Sequence, residues 1–215
     1  MNPIDIELKF SKRQYKNFCK RQVTPGFSEF AEKIIKRDDN TCRVCGFKGL
    51  KHMGIMNKDH NYLNNSAKNL ITVCPLCLQC HFVENIGVMQ NSGGTLIYMP
   101  EMTQSKLNGI VHTLFCAIAN ATTQEQSAQD MYNALRLRSK PIEKTYGEGR
   151  SDPKVFGEMV LNSTSENQAQ LINVILKDFR ILPKLSSFSD QIKDWSEDAT
   201  NALETDLSVY GINGR

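Results

Sequence analysis

The sequence predicts an α+β fold: short strands and turns over about the first hundred residues, then a mainly helical half. Three observations carry this. Two Cys-x-x-Cys pairs, Cys42/Cys45 and Cys74/Cys77, lie 28 residues apart among short apolar runs. The clearest helical periodicity comes later, where Leu107, Ile110, Val111, Leu114, Phe115 and Ile118 follow the i, i+3, i+4, i+7, i+8, i+11 pattern of one helix face. Capped amphipathic segments then follow one another toward the C-terminus. The corresponding division is residues 1–100 as a core with a basic N-terminal arm and 101–215 as a helical region packed on it.

Taken in order, Ile4 to Lys9 alternate apolar and polar, the pattern of a short strand. Residues 9–21 carry six Lys or Arg and no acid. Such an arm suits phosphates, an acidic partner or plain solvation, and Phe10, Tyr15 and Phe18 show that it also packs. Pro25-Gly26 turns the chain. Phe27, Ala31, Ile34 and Ile35 then mark a helix with Ser28 as its N-cap, ending at Lys36-Arg37.

From Cys45 to about Asn57 the reading is a hairpin turning at Gly46 to Gly49. Residues 59–69 form an Asn-rich loop, and Leu70, Ile71 and Val73 a short strand. Pro75 starts a helix that carries Cys77, Cys80 and His81. After Gly93-Gly94 comes a strand, Thr95 to Met99. Thr103 caps the long helix, and Ala128, Met131, Tyr132 and Leu135 mark the next. A basic stretch punctuated by Gly and Pro runs from there to Asp152-Pro153, which opens a helix through Leu161. Ser165 caps a further helix with Leu171, Ile172, Ile175, Leu176 and Phe179 inward. Ser189 caps the last, with Ile192, Trp195, Ala199, Ala202 and Leu203 on one face.

The 215 residues include seven cysteines and carry a net charge of +3, with 40% apolar and 23% charged residues. That charge does not by itself call for a nucleic-acid partner. No apolar run approaches the length needed to span a bilayer, about 18 residues. The first residues lack the apolar stretch of a signal peptide. Four cysteines at metal-ligand spacing plus three others suit a reducing cytoplasm better than a disulfide framework.

Each Cys-x-x-Cys brings two thiolates out of one tight turn. Two such turns facing each other form a closed tetrahedral sulfur site suited to one structural Zn²⁺, with Zn–S about 2.3 Å as in four-coordinate sites generally. A redox Cys-x-x-Cys would stand beside a βαβ pattern and need no second pair. His52 reads as a surface residue and His112 as a packed core histidine.

Around this site the sequence resembles the HNH, or ββα-metal, family from about residue 28 to 82. The matching positions are the helix ending in Arg37-Asp38, then Asp59-His60, then Asn69-Leu70 leading to Cys74/Cys77. The resemblance implies an HNH-like ββα zinc core. In active members the residue at His60 is the general base, Asp59 helps hold a catalytic metal, and Asn69 braces the loop; the function would be a metal-dependent endonuclease acting on DNA. The sequence departs at Leu78, where the family carries His or Asn. His81 lies one turn beyond Cys77, and Cys80 would bring a thiolate that favours soft metals. Asp59, His60, Asn69 and His81 are therefore read as vestigial.

A second resemblance runs over nearly the whole chain. The segments CPLCLQCHFVE, GGTLIYMPEMTQSKLN, HTLFCAIAN, SAQDMYNALRLRS and GEGRSDPKVFGE are similar to the IcmJ/DotN family. That resemblance implies a zinc-bound, HNH-like, non-catalytic cytoplasmic subunit of the Dot/Icm type IVB secretion coupling complex. It also implies docking on a segment of the coupling ATPase DotL, contact with other coupling-complex subunits, support of effector export, and attachment to the inner-membrane machinery through partners rather than by insertion. The strand Thr95 to Met99 would offer a sheet edge for such a segment and the amphipathic helices after it a groove, within the central region Gly94 to Leu137, and Arg136, Arg138 and Lys140 would steer an acidic one.

Overall fold

The computed structural model describes residues 4–198 and is of the α+β class. Helix α1 spans Gln14–Gln22 and α2 Phe27–Arg37; strands β1 (Gly54–Asn57) and β2 (Leu70–Val73) follow, then α3 (Pro75–Leu78). Two 3₁₀ turns, Gln79–His81 and Val83–Asn85, lead to β3 (Gly94–Tyr98). Next come α4 (Gln104–Ala119), α5 (Glu125–Leu137), α6 (Lys140–Tyr146), α7 (Pro153–Asn162), α8 (Ser165–Asp178) and β4 (Phe179–Pro183). A final helix, α9, occupies residues 189–198; the predicted positions Ala199, Ala202 and Leu203 lie outside the described residues. Among the described residues no helix is long and apolar enough to cross a membrane.

The residues 4–9 keep the predicted alternation, with Ile6 and Leu8 buried, but form no strand. Their backbone bonds are scattered instead of laddered: Ile4 N–H donates to Arg43 O at 2.8 Å and Lys9 N–H to Cys80 O at 2.9 Å. The basic arm becomes α1. Helix α2 starts one residue before the predicted cap, because Gly26 takes the left-handed conformation (φ 76°) and lets Phe27 enter the core as the first helical residue. Ser28 thus sits inside the first turn. Residues 45–57 do not form a hairpin with themselves. Lys48 bridges back to Thr41, and β1 pairs antiparallel with β2, Gly54 opposite Val73 through Asn57 opposite Leu70.

The second half departs further. Phe179 is not helical: the chain leaves α8 at Asp178 and runs as β4, antiparallel to β3, with Gly94 opposite Pro183 and Tyr98 opposite Phe179. Phe179 continues the helical period of Ile175, so periodicity alone favours helix there; the strand wins because all five of its residues are buried against β3. Gly94 is required for this pairing, since a Cβ there would lie 2.8 Å from Leu182 O. The other side of β3 is not open to a peptide: Leu96 N–H donates to Ser151 O at 2.8 Å and Tyr98 N–H to Arg138 O at 3.0 Å. Residues 140–146, read as connection, form α6. The predicted cap Thr103 accepts from Lys106 N at 3.3 Å, and Asp152, at the predicted helix start, accepts from Val155 N at 3.0 Å, whereas Ser165 is the first residue of α8 and not its cap.

One core cluster runs from Ile6 to Trp195 and includes Cys42, Cys74 and Cys77. Helix α7 reaches the Val83–Asn85 turn through Gly157, whose Cβ would meet Glu84 Cα at 2.8 Å. Beneath that contact Glu84 is buried; its Oε1 accepts from Asn85 Nδ2 at 2.9 Å, while Oε2 has no hydrogen-bond partner among the described residues. Burial pushes its carboxyl up from 4.5 to about 7, although hydrogen bonds oppose this. A carboxyl raised in the folded state binds its proton more tightly there. Stability is therefore greatest below the unfolded value and falls as pH rises to about 7. Glu84→Gln should leave the urea midpoint nearly unchanged at pH 4.5. At pH 8 it should raise stability by an amount on the order of 2 kcal/mol. Equal shifts at both pH values would show that Glu84 is not held protonated.

Candidate metal centre

The two cysteine turns are formed by local backbone bonding. Cys42 N–H donates to Phe47 O at 2.7 Å and Gly46 N–H returns to Cys42 O at 2.9 Å, with Gly46 in the left-handed region at φ 80°. Strand β2 delivers Cys74 to the N-cap position of α3, and Pro75 follows at the first helical position. Cys77 N–H and Leu78 N–H both donate to Cys74 O, at 3.1 and 3.0 Å, which brings the second pair of sulfurs onto one side. The turns are stitched together by Arg43 N–H donating to Thr72 O at 2.9 Å.

The result is that the sulfurs of Cys42, Cys45, Cys74 and Cys77 all lie within 4.8 Å of one another. Cys45 Sγ and Cys74 Sγ are 3.7 Å apart. Four sulfurs placed tetrahedrally around zinc would be separated by about 3.8 Å. The donor set fits a soft divalent ion, and no disulfide links these residues. Burial pushes the Cys74 and Cys77 thiols well up from their ordinary value, so ionising the whole set calls for a cation among them. Cys45 is the half-buried member; the other three are buried.

Helix α4 closes the centre from outside. Asn108 Nδ2 donates to Cys77 Sγ at 3.2 Å, and His112 Nε2 lies 3.2 Å from Cys74 Sγ. His112 is buried, as a packed core histidine should be, but it also faces a metal-type sulfur. Its ring stacks on Phe47 at 3.9 Å and 1°, with Trp195 edge-on at 5.0 Å. Burial pulls it down to about 4, so it is neutral at ordinary pH and can donate one N–H. Neither residue stands out as a ligand in the sequence. The signal that could have found them is a stripe of Gln104, Asn108 and His112, four apart, on an otherwise apolar helix face. His52 is half-buried, with Trp195 edge-on at 6.4 Å, and sits 2.6 Å from Asp194 Oδ2, tying the loop before β1 to α9.

The four nuclease-type residues form a separate group behind β2. His60, at φ 58°, donates from Nε2 to His81 O at 2.9 Å, which leaves Nδ1 as its free lone pair. Burial lowers His60, so the ring is neutral. The metal side is different. Asp59 Oδ1 accepts from Asn69 Nδ2 at 2.8 Å and from Asn61 N–H at 2.9 Å, and Oδ2 accepts from Asn64 Nδ2 at 2.7 Å. Its carboxylate braces the loop; burial alone would raise it, but these bonds together hold it below the usual carboxylate range. His81 points inward, its Nδ1 hydrogen-bonded with the Tyr62 hydroxyl at 3.1 Å, and burial pulls it down to about 3. Leu78 packs with the Tyr62, Phe82 and Met89 cluster. Among the described residues, the four cysteines are the group of His, Cys, Asp and Glu drawn together at metal-ligand distance. Cys80 stands apart from it, a buried thiol donating to Leu76 O at 3.5 Å and pushed up to about 12 by burial.

Helix α1 lies over this second group. Tyr15 and Phe18 pack against Phe82 at 5.5 and 5.1 Å, and Gln14 Oε1 accepts from Tyr62 N–H at 3.0 Å. Arg21 anchors the helix end: it is buried, donates to Asn57 Oδ1 and to Ile55 O, and lies over the rings of Phe18, Phe27 and Tyr62.

Fold and cluster together define an α+β protein built round a four-cysteine centre of the metal-holding kind. No protein-family model matches the chain. It is 40% identical over 200 residues to the type 4 apparatus protein DotN of Legionella pneumophila subsp. pneumophila, a match covering 93% of this chain and 92% of that protein. The chain belongs to the DotN (IcmJ) family.

Proposed function

We propose that this chain is a non-catalytic, zinc-containing subunit of the Dot/Icm type IVB coupling complex. In this reading Cys42, Cys45, Cys74 and Cys77 hold one structural Zn²⁺, and the helices after residue 100 pack on an HNH-like core that precedes them. The subunit binds a segment of the coupling ATPase DotL beside other coupling-complex subunits, on the cytoplasmic side of the inner membrane, and supports effector recruitment and export. Membership of the DotN family supports the placement in a type IV apparatus.

The observation that carries the non-catalytic part is the state of the Asp59–His60 group. A base of the right tautomer is present, but Asp59 makes three bonds to its own loop, Leu78 occupies the family's ligand position, and α1 covers the rings beside it. Hydrolysis of a phosphodiester by this chemistry needs a divalent ion next to the base. The surface for the ATPase segment is not the β3 edge, which is already bonded. Steering by the α5–α6 junction falls to Arg136 and Lys140, since Arg138 pairs with Glu101.

The test is paired. Full-length protein co-expressed with soluble segments of DotL should co-purify with one of them, and should leave plasmid DNA intact with Mg²⁺, Mn²⁺ or Ni²⁺. Failure to retain any segment would sink the coupling-complex reading. Nicking that disappears in His60→Ala would establish the endonuclease instead.

A further inference from the structure

The buried side of α4 carries the three polar residues spaced four apart. Gln104, the first, meets the backbone of Ile181 in β4 twice. Its Nε2 donates to Ile181 O at 2.8 Å and its Oε1 accepts from Ile181 N–H at 2.8 Å. This pairing fixes which way the amide faces. The same Nε2 donates to Asn108 Oδ1 at 2.9 Å. With Oδ1 so occupied, the Nδ2 group of Asn108 must face the other way, where it meets Leu76 O and Cys77 Sγ, both at 3.2 Å. Gln104 is 2% exposed and Asn108 fully buried, so neither amide can turn to water.

We propose that Gln104 and Asn108 form a hydrogen-bond relay from the Ile181 backbone to the Cys77 sulfur, positioning an N–H donor on a metal thiolate and slowing loss of the metal. The proposal rests on the reading of the four cysteines as a zinc site. Four thiolates around Zn²⁺ leave a net charge of −2 in a buried place. Donors outside the ligands spread that charge and hold each sulfur in its rotamer. Asn108 and His112 supply such donors from α4, a helix far from the cysteines in sequence, and Gln104 acts only through Asn108. Leu76 O favours the same orientation of Asn108, and Gln104, by donating to Oδ1, holds the other end of the amide so that the donor side stays on the sulfur. Gln104 and Asn108 are therefore positioning residues for the centre.

The test uses full-length, zinc-loaded protein and two substitutions of unchanged size, Asn108→Asp and Gln104→Glu. Each replaces the relay's amide donor by an oxygen. Both should release zinc to a chelator about tenfold faster or more, the range found when partners of metal ligands are removed. In the cobalt-substituted protein both should shift the sulfur-to-metal charge-transfer band. His112→Gln, which can keep an N–H toward Cys74, should stay closer to wild type than His112→Leu. Wild-type protein loaded with ¹¹³Cd needs no substitution: the Asn108 side-chain amide proton should show scalar coupling to the metal through its sulfur. Absence of that coupling overturns the relay even if the variants do not fold. Unchanged release and unchanged cobalt bands in folded variants also overturn it. A wild-type chain that takes up no metal is a different result, which refutes the zinc reading and the relay with it.

Discussion

Cys77→Ser should yield protein that is insoluble or rapidly proteolysed and carries well under one zinc per chain. The sulfur it removes lies in the core, beside three others, and has Asn108 aimed at it. Bringing four thiolates together costs free energy that the ion must supply, and apparent binding energy at structural zinc sites is on the order of 10 kcal/mol or more. That exceeds the net stability of most domains. Cys74→Ser should behave alike, whereas Cys45→Ser, at the half-buried position, should be milder. Cys19→Ser and Cys116→Ser, both exposed, should be near neutral. Cys80→Ser is the informative control: it changes a fully buried thiol close to the cluster but outside it. It should lower stability modestly with zinc content unchanged. Elemental analysis with urea unfolding reads all of these, and full zinc content in folded Cys77→Ser protein would refute the assignment of ligands.

Arg21→Ala is the second large effect. The guanidinium sits 4.6 Å from the Phe27 ring centre, 4.9 Å from that of Tyr62 and 5.4 Å from that of Phe18. It donates to Ile55 O at 2.8 Å and to Asn57 Oδ1. Burial draws its pKa down to about 10, so it remains charged at neutral pH. Truncation removes three cation–ring contacts, opens a cavity and strands two buried acceptors. The combined cost is on the order of 3–4 kcal/mol. The melting midpoint should fall by roughly 10 °C. Because Arg21 fastens the end of α1, trypsin should cut first at Lys12, Arg13, Lys16 or Lys20. Cleavage first elsewhere in the chain would mean that α1 is held by its aromatic contacts alone. Arg21→Lys should recover only part of the loss, since an ammonium cannot lie flat over the rings and reach both acceptors.

What the sequence discloses and what it hides divides along physical lines. The cysteine pairs were legible because a closed tetrahedral site restricts both residue type and spacing, and the four sulfurs do come together. The helix of Leu107 to Ile118 was legible because one face is buried along its length. β4 was not, since Ile175, Leu176 and Phe179 keep a helical period across the point where the chain straightens, and the partner that decides the matter is about eighty residues away. α1 was hidden by its charge: its lysines point outward, while Gln14, Tyr15, Phe18 and Arg21 touch the body. The departure at Leu78 could be read from the sequence, but the commitment of Asp59 to Asn61, Asn64 and Asn69 could not. Several Asn residues in a loop announce turns, not which side chain will serve as their common acceptor.

The pairing of β3 with β4 has a consequence for how the molecule is made. A ribosome releases the chain from its N-terminus, so all four metal-type cysteines have emerged by residue 77, long before Ile181. During that interval β3 lacks its strand partner and Gln104 has no Ile181 backbone to grip. Until β4 is made, Asn108 on α4 lacks the link through Gln104 to the sheet, and synthesis through residue 183 supplies it. Truncation before β4 should cost the centre its protection even though every cysteine remains.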